Sequence, residues 1–119
     1  MKIAVNNIVK ISTNKIYAGT HWRNRNKLKE DYLWLTKSCF KSLKFIEEKV
    51  DLHFTFFFNK KPLDSSNCSY MAKMLEDCLV AHGVLKDDTI QYVGRVSFES
   101  VKGKEKDFDW CLIEIEPSN

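Results

Sequence analysis

Glycine and proline are scarce in this chain of 119 residues, which has four of the first and two of the second. That scarcity excludes a linker-like or low-complexity stretch, and no internal repeat is visible. No apolar run is long enough for a signal peptide or a membrane span, so neither is expected. The four cysteines, Cys39, Cys68, Cys78 and Cys111, are scattered without a Cys-x-x-Cys pair, and no histidine stands at zinc-ligand spacing. The expectation is four reduced thiols packed as small hydrophobes in an intracellular, cytoplasmic protein. What the chain does have is a hydrophobic content of 44% and an aromatic content of 13%. That is enough to exclude disorder and to fill one core, so residues 1–119 read as a single domain.

Charge is distributed unevenly. Residues 1–49 carry eleven Lys or Arg against four acids, and residues 50–119 carry eight against twelve. A basic half suits a polyanionic partner, and an acidic half suits cations.

Residues 2–9 are β-branched and partly alternating, which predicts a strand. The polar segment that follows carries Lys15, Arg23, Arg25, Lys27 and Lys29 interleaved with Tyr17, His21 and Trp22. Such side chains can neutralise phosphates and stack on bases, although the same segment could be a solvated loop covering the core edge. From about Asn24 to Lys49 apolar residues recur at helical steps through Leu28, Tyr32, Leu35, Cys39, Leu43 and Ile46. Trp34, Phe40 and Phe45 fall outside that stripe, and a second copy of the chain or a loop could cover them. Residues 51–59 read as a central strand covered on most of both faces, with Leu52, Phe54, Phe56 and Phe58 on one side. His53, with no local acidic neighbour, reads as a packed strand histidine. Residues 89–100 and 106–116 alternate as two further strands joined by a hairpin-like loop bearing Lys102, Gly103, Lys104 and Lys106. The resulting order, β-α-β-α-β-β, is an α+β fold in which two helices pack on a mixed sheet.

Between these elements lies the most informative stretch, residues 64–88. Ser65, Ser66 and Asn67 are N-cap types, and Met71, Met74, Leu75, Cys78 and His82 form an apolar face before Gly83 offers a stop. A helix from about Asn67 to His82 puts Tyr70, Lys73 and Asp77 on the other face, with Lys73 and Asp77 one turn apart. Asp64 precedes the helix, and Asp87 and Asp88 lie in the connection to the next strand. If that strand returns beside the helix, the carboxylates converge, and several carboxylates can hold a hard divalent cation. Each residue also has an ordinary role: a turn residue, an exposed ion pair, a polar turn.

In order, Asp64, Asn67, Lys73, Asp77, Gly83, Asp87 and Asp88 resemble the metal-binding core of the RusA-type Holliday junction resolvases, small phage and prophage endonucleases. Residues 12–17, Ser-Thr-Asn followed by Tyr17, resemble the Asn-rich segment after the first strand of that family. The resemblance covers most of the chain in element order, and its specific part is confined to residues 64–88. The family pattern has Asp-x-Asp-Asn and a lysine three residues on. Here Ser66 stands where the second aspartate would be, and six residues separate Asn67 from Lys73. Asp77 or Glu76 must then complete the site.

The resemblance implies a Mg²⁺-dependent endonuclease that resolves four-way junctions or other branched DNA by paired nicks. It would act as a homodimer, with Asp64, Asp77 and Asp88 as ligands, Asp87 a further candidate, and Lys73 positioning the water or the leaving oxygen. Lys15, Arg23, Arg25 and Lys27 would grip the phosphates. The alternative is a degenerate relative that binds branched or single-stranded DNA without cutting it.

Overall fold

Five alternating apolar positions, Val50, Leu52, Phe54, Phe56 and Phe58, fix the middle of the molecule, each at most 2% exposed. They form one face of β2 (Val50–Phe58) in a computed structural model that describes residues 1–18 and 22–119. His21 of the basic segment lies outside the described residues, as do the side chains of Trp22 and Arg23. Around β2 the elements run β1 (Lys2–Asn6), α1 (Thr13–Tyr17), α2 (Trp22–Lys41), β2, a 3₁₀ turn (Ser65–Cys68), α3 (Ser69–Ala81), β3 (Val93–Lys102) and β4 (Trp110–Pro117). The fold is α+β with a mixed four-stranded sheet in the order β1-β4-β2-β3. The radius of gyration, 13.8 Å, is close to the roughly 13.5 Å expected of one domain of this length. No helix among the described residues is long and apolar enough to cross a membrane.

β2 pairs in parallel with β3 and antiparallel with β4, and β1 adds antiparallel to β4. Matching register lines up Val5, Cys111 and Phe56 across the sheet, and likewise Ile3, Ile113 and Phe54. These side chains share one core cluster with Met71, Leu75, Cys78 and Leu79 of α3 and Tyr32 and Phe40 of α2. On the other face of the sheet, β2, expected to be covered on most of both faces, has Thr55 buried and Asp51, His53 and Phe57 half-buried. His53 is half-buried there against Ser97 and Glu99, and Phe57 is half-buried by stacking on Trp110 at 4.3 Å between centroids. A cross-strand aromatic partner thus shelters an apolar residue without a second helical layer.

The expected β3–β4 hairpin does not form. These strands flank β2 on opposite sides, and the connection over residues 103–109 passes across its end. Gly103 N–H donates to Phe58 O (2.8 Å), and Asn59 N–H to Asp109 Oδ1 (2.8 Å). A Cβ at Gly103 would come within 3.2 Å of the Phe57 Cβ, so the crossing is close. β3 also begins later than its alternation implies. Tyr92 and Val93 both donate to Thr89 O in a turn, leaving Ile90 82% exposed.

The long helix is displaced as well. α2 ends at Lys41, although its apolar period continues to Ile46, because Ile46 N–H leaves the helical pattern to donate to Val84 O (2.9 Å). Its most buried line is Tyr32, Thr36 and Phe40, each 0% exposed. Phe40 is therefore core, edge-on to the His82 ring, and only Trp34 and Phe45 of the three unassigned aromatics reach solvent. Thr36 hides in this line because its hydroxyl bonds the Tyr32 carbonyl one turn back (2.7 Å). His82 Nε2 meets the Leu33 carbonyl at 3.1 Å, and since a carbonyl only accepts, the ring proton sits on Nε2.

Candidate metal centre

α3 is built from good helix formers, with Met, Lys, Leu and Glu in succession, and it stops where Gly83 takes φ +77°. Gly83 N–H then bonds Val80 O (3.0 Å) and Val84 N–H bonds Leu79 O (2.9 Å), which closes the helix end and turns the chain back. At the start, the expected caps Ser65, Ser66 and Asn67 lie inside the 3₁₀ turn, and the residues at the two N-cap positions, Asp64 and Cys68, make no side-chain cap bond. Thr13 of α1 supplies it from across the fold. Its hydroxyl accepts the Tyr70 N–H (2.9 Å), donates toward Asn67 O (3.1 Å) and contacts Ser69 Oγ (2.9 Å). The segment read as a polar loop thus holds a short helix, α1, which fixes the beginning of α3 and buries Ile16.

The return of the chain after Gly83 brings Asp88 back beside the third turn of α3. Carboxylate oxygens of Glu76, Asp77 and Asp88 lie within 4.8 Å of one another. Lys73 reaches all three: Asp77 Oδ1 at 3.1 Å, Glu76 Oε1 at 3.3 Å, and a close contact to Asp88 Oδ2. With three carboxylates and one ammonium the cluster carries a formal charge of −2.

Asp77, Asp88 and Lys73 are thus brought together as the spacing implied, and Glu76 joins them. Asp64 does not. It stands before the 3₁₀ turn at the opposite end of α3 and is outside the group of converging oxygens. Asp87 is spent on the local turn, where its Oδ1 accepts the Asp88 N–H at 2.8 Å.

The environments of these groups differ. Glu76 is 7% exposed, and this burial raises its pKa even though Lys73 opposes the shift. The hydrogen bond from Lys73 holds Asp88 below the usual carboxylate range. Desolvation works against the Lys73 ammonium, but its bonds to Asp88 and Asp77 and the charges around it prevail and raise its pKa. The cysteines contribute no ligand: burial pushes the Cys68 thiol up to about 11 and raises those of Cys78 and Cys111.

The donor set suits a hard cation. Mg²⁺–O bonds of about 2.1 Å put ligand oxygens at most about 4.2 Å apart, so oxygens spread over 4.8 Å need only small side-chain rotations to close. Lys73 must yield part of its contacts for that to happen.

Replacing Lys73 by methionine leaves three converging carboxylates without their cation. The expected cost is about 1 kcal/mol at neutral pH, kept small because Lys73 is 53% exposed and screened by water. The pH dependence has a definite sign. Stability from the lowered Asp88 pKa is present above the unfolded value of about 3.9 and lost below it. Stability from the raised Lys73 pKa is present below about 10.4. Urea titrations of both proteins should therefore show a gap across neutral pH that closes in acid. An equal gap at all pH values would refute the electrostatic account.

The basic candidates divide. Lys15 stands on α1, and Lys27 is exposed and paired with Asp31 at 3.3 Å. Arg25 is half-buried and donates to Ile16 O (3.0 Å), so it fastens α1 to α2. Its charge and that of Asp77 both bear on the Tyr70 hydroxyl, whose pKa burial raises. Sequence reasoning missed Lys10 and Lys61, which line a groove with Lys15. The only hint was a Lys60-Lys61 doublet leaving β2 toward the same end of the sheet as the β1–α1 connection. Comparison of the chain with family models and with curated proteins finds no match.

Proposed function

We propose that this protein is a Mg²⁺-dependent, structure-selective endonuclease that resolves four-way junctions or other branched DNA by paired nicks. The observation that carries this reading is the convergence of Glu76, Asp77 and Asp88 around Lys73, with Lys29 of α2 lining the same pocket as Asp77. Glu76, Asp77 and Asp88 would hold the cation, which when bound acidifies a water and screens charge on the attacked phosphate. Lys73, released from part of its carboxylate contacts, would orient that water or stabilise the leaving oxygen.

Two symmetric nicks call for two sites, supplied most simply by a homodimer. Trp34, 78% exposed, and Phe45, 50% exposed, are surface available to a second copy. The resemblance to phage and prophage resolvases and the four free cysteines support an intracellular, cytoplasmic setting.

A second reading has its own support. Lys73 already engages all three carboxylates, and Asp64 stands apart from them, as in a protein that binds branched DNA without cutting it. Incubating the protein with an end-labelled four-way junction in Mg²⁺ and in EDTA separates the two. Paired nicks that need the metal support the nuclease. A stable complex that is never cut supports the binder, and absence of any complex removes both.

A further inference from the structure

A groove beside α1 combines basic and apolar residues in a way that neither the carboxylates nor the exposed basic residues account for. It measures about 500 Å³ and runs between α1 and the segment leading from β2 to the 3₁₀ turn. Lys10, Lys15 and Lys61 stand along it, and Ile16, Leu28 and Leu63 are among its apolar walls.

Among the described residues, no carboxylate is within salt-bridge distance of Lys10 or Lys61. The Lys10 ammonium is held instead by the Lys61 carbonyl and over the Phe58 ring, contacts that fix its place and leave its charge available. Asp107 and Asp109 line the adjoining cleft with Lys10, and Asp109 is engaged by the Asn59 N–H.

A purely electrostatic track has no use for an apolar floor, and a purely apolar ligand has no use for lysines. A nucleotide has both a base to bury and phosphates to neutralise. We propose that this groove seats one unpaired nucleotide of a single DNA strand, its base on the apolar walls and its flanking phosphates on Lys10 and Lys61.

The placement gives the seat a purpose, one that rests on the nuclease reading above. α1 ties the groove to the helix that carries Glu76 and Asp77, because its Thr13 caps that helix. Its Lys15 and Ile16 line the groove, and its last residue, Tyr17, is 74% exposed. A strand leaving the groove along α1 would be led toward the helix that carries Asp77 and Lys73. Bases that unstack readily at a branch point would enter, whereas paired bases would not, which makes the groove a source of structure selectivity.

The test is fluorescence anisotropy of a labelled thymidine oligonucleotide and its abasic counterpart, with wild type, Lys10→Gln/Lys61→Gln, and Lys37→Gln/Lys41→Gln. The last pair removes equal charge beside Trp34, away from the groove. The groove variant should bind the oligonucleotide about tenfold more weakly, with a salt slope smaller by about 1.4, as two lost phosphate contacts require. The control should match wild type, and wild type should prefer the base-bearing strand. Equal weakening in both variants, or equal affinity for the abasic strand, overturns the nucleotide seat. If wild type still cuts a junction in Mg²⁺ while the groove variant binds like wild type, the groove fails and the nuclease reading stands. If wild type binds neither oligonucleotide nor junction, both fall.

Discussion

Asp88→Asn is expected to slow metal-dependent junction cleavage by a factor of about a hundred or more while leaving junction binding within about twofold. The exchange keeps the shape of the side chain and removes one of three charges converging within 4.8 Å. Asp77→Asn should follow, since its carboxylate shares the same lysine and lies on the exposed side of α3. Asp64→Asn should behave differently, and here geometry and family resemblance disagree. The resemblance makes Asp64 the first metal ligand. The fold places it before the 3₁₀ turn, away from the converging group, with its backbone carbonyl accepting the Asn67 N–H at 2.9 Å. Cleavage within a few-fold of wild type is therefore expected for Asp64→Asn. Single-turnover rates with excess protein, paired with calorimetric titration of Mn²⁺, would decide the matter. An inactive Asp64→Asn beside an active Asp88→Asn would move the centre to the start of α3.

The part of this site that could be read in the chain is the part governed by local rules. Lys73 and Asp77 are one helical turn apart by spacing alone, and a glycine followed by Asp-Asp predicts a chain that stops and turns back. Glu76 was only one of two alternatives because helical periodicity puts residue 76 near the buried face, where a carboxylate is uncommon. Its 7% exposure becomes intelligible once Lys73 is seen reaching over it.

Long-range pairing was not legible. Thr13 caps α3 from more than fifty residues away, and no local pattern marks it. The short glycine-bearing link between β3 and β4 has the look of a hairpin, yet β2 lies between them, because its nine residues offer both edges to partners and its Phe58 carbonyl captures Gly103. The apolar character of β2 was correctly read as central. What the pattern could not distinguish was an apolar residue under a helix from one under a neighbouring ring, as with Phe54 and Phe57.

That distinction has a measurable energy. Phe56 is 0% exposed, ranked between Phe54 and Phe58 at 6.4 Å from each, and paired with the buried Cys111 across β4. Phe56→Ala removes a whole ring from a place where the sheet cannot collapse, so the expected loss is about 3–5 kcal/mol. Against a total of about 5–15 kcal/mol for a domain, that loss brings the chain close to unfolding at physiological temperature. Phe57→Ala, one residue on, removes a ring that is only half-buried and stacked on Trp110, and should cost about 1 kcal/mol. Urea melts read both, and with m unchanged the shift in midpoint reports stability alone. Two outcomes would be informative in different ways. A small loss at Phe56 would contradict the packing of the core itself. A loss at Phe57 as large as that at Phe56, growing with protein concentration, would mean that the Phe57 face of the sheet is covered by a second copy of the chain. In that case the dimer interface lies on the face away from Trp34, and the two carboxylate centres of the dimer are on its outer sides.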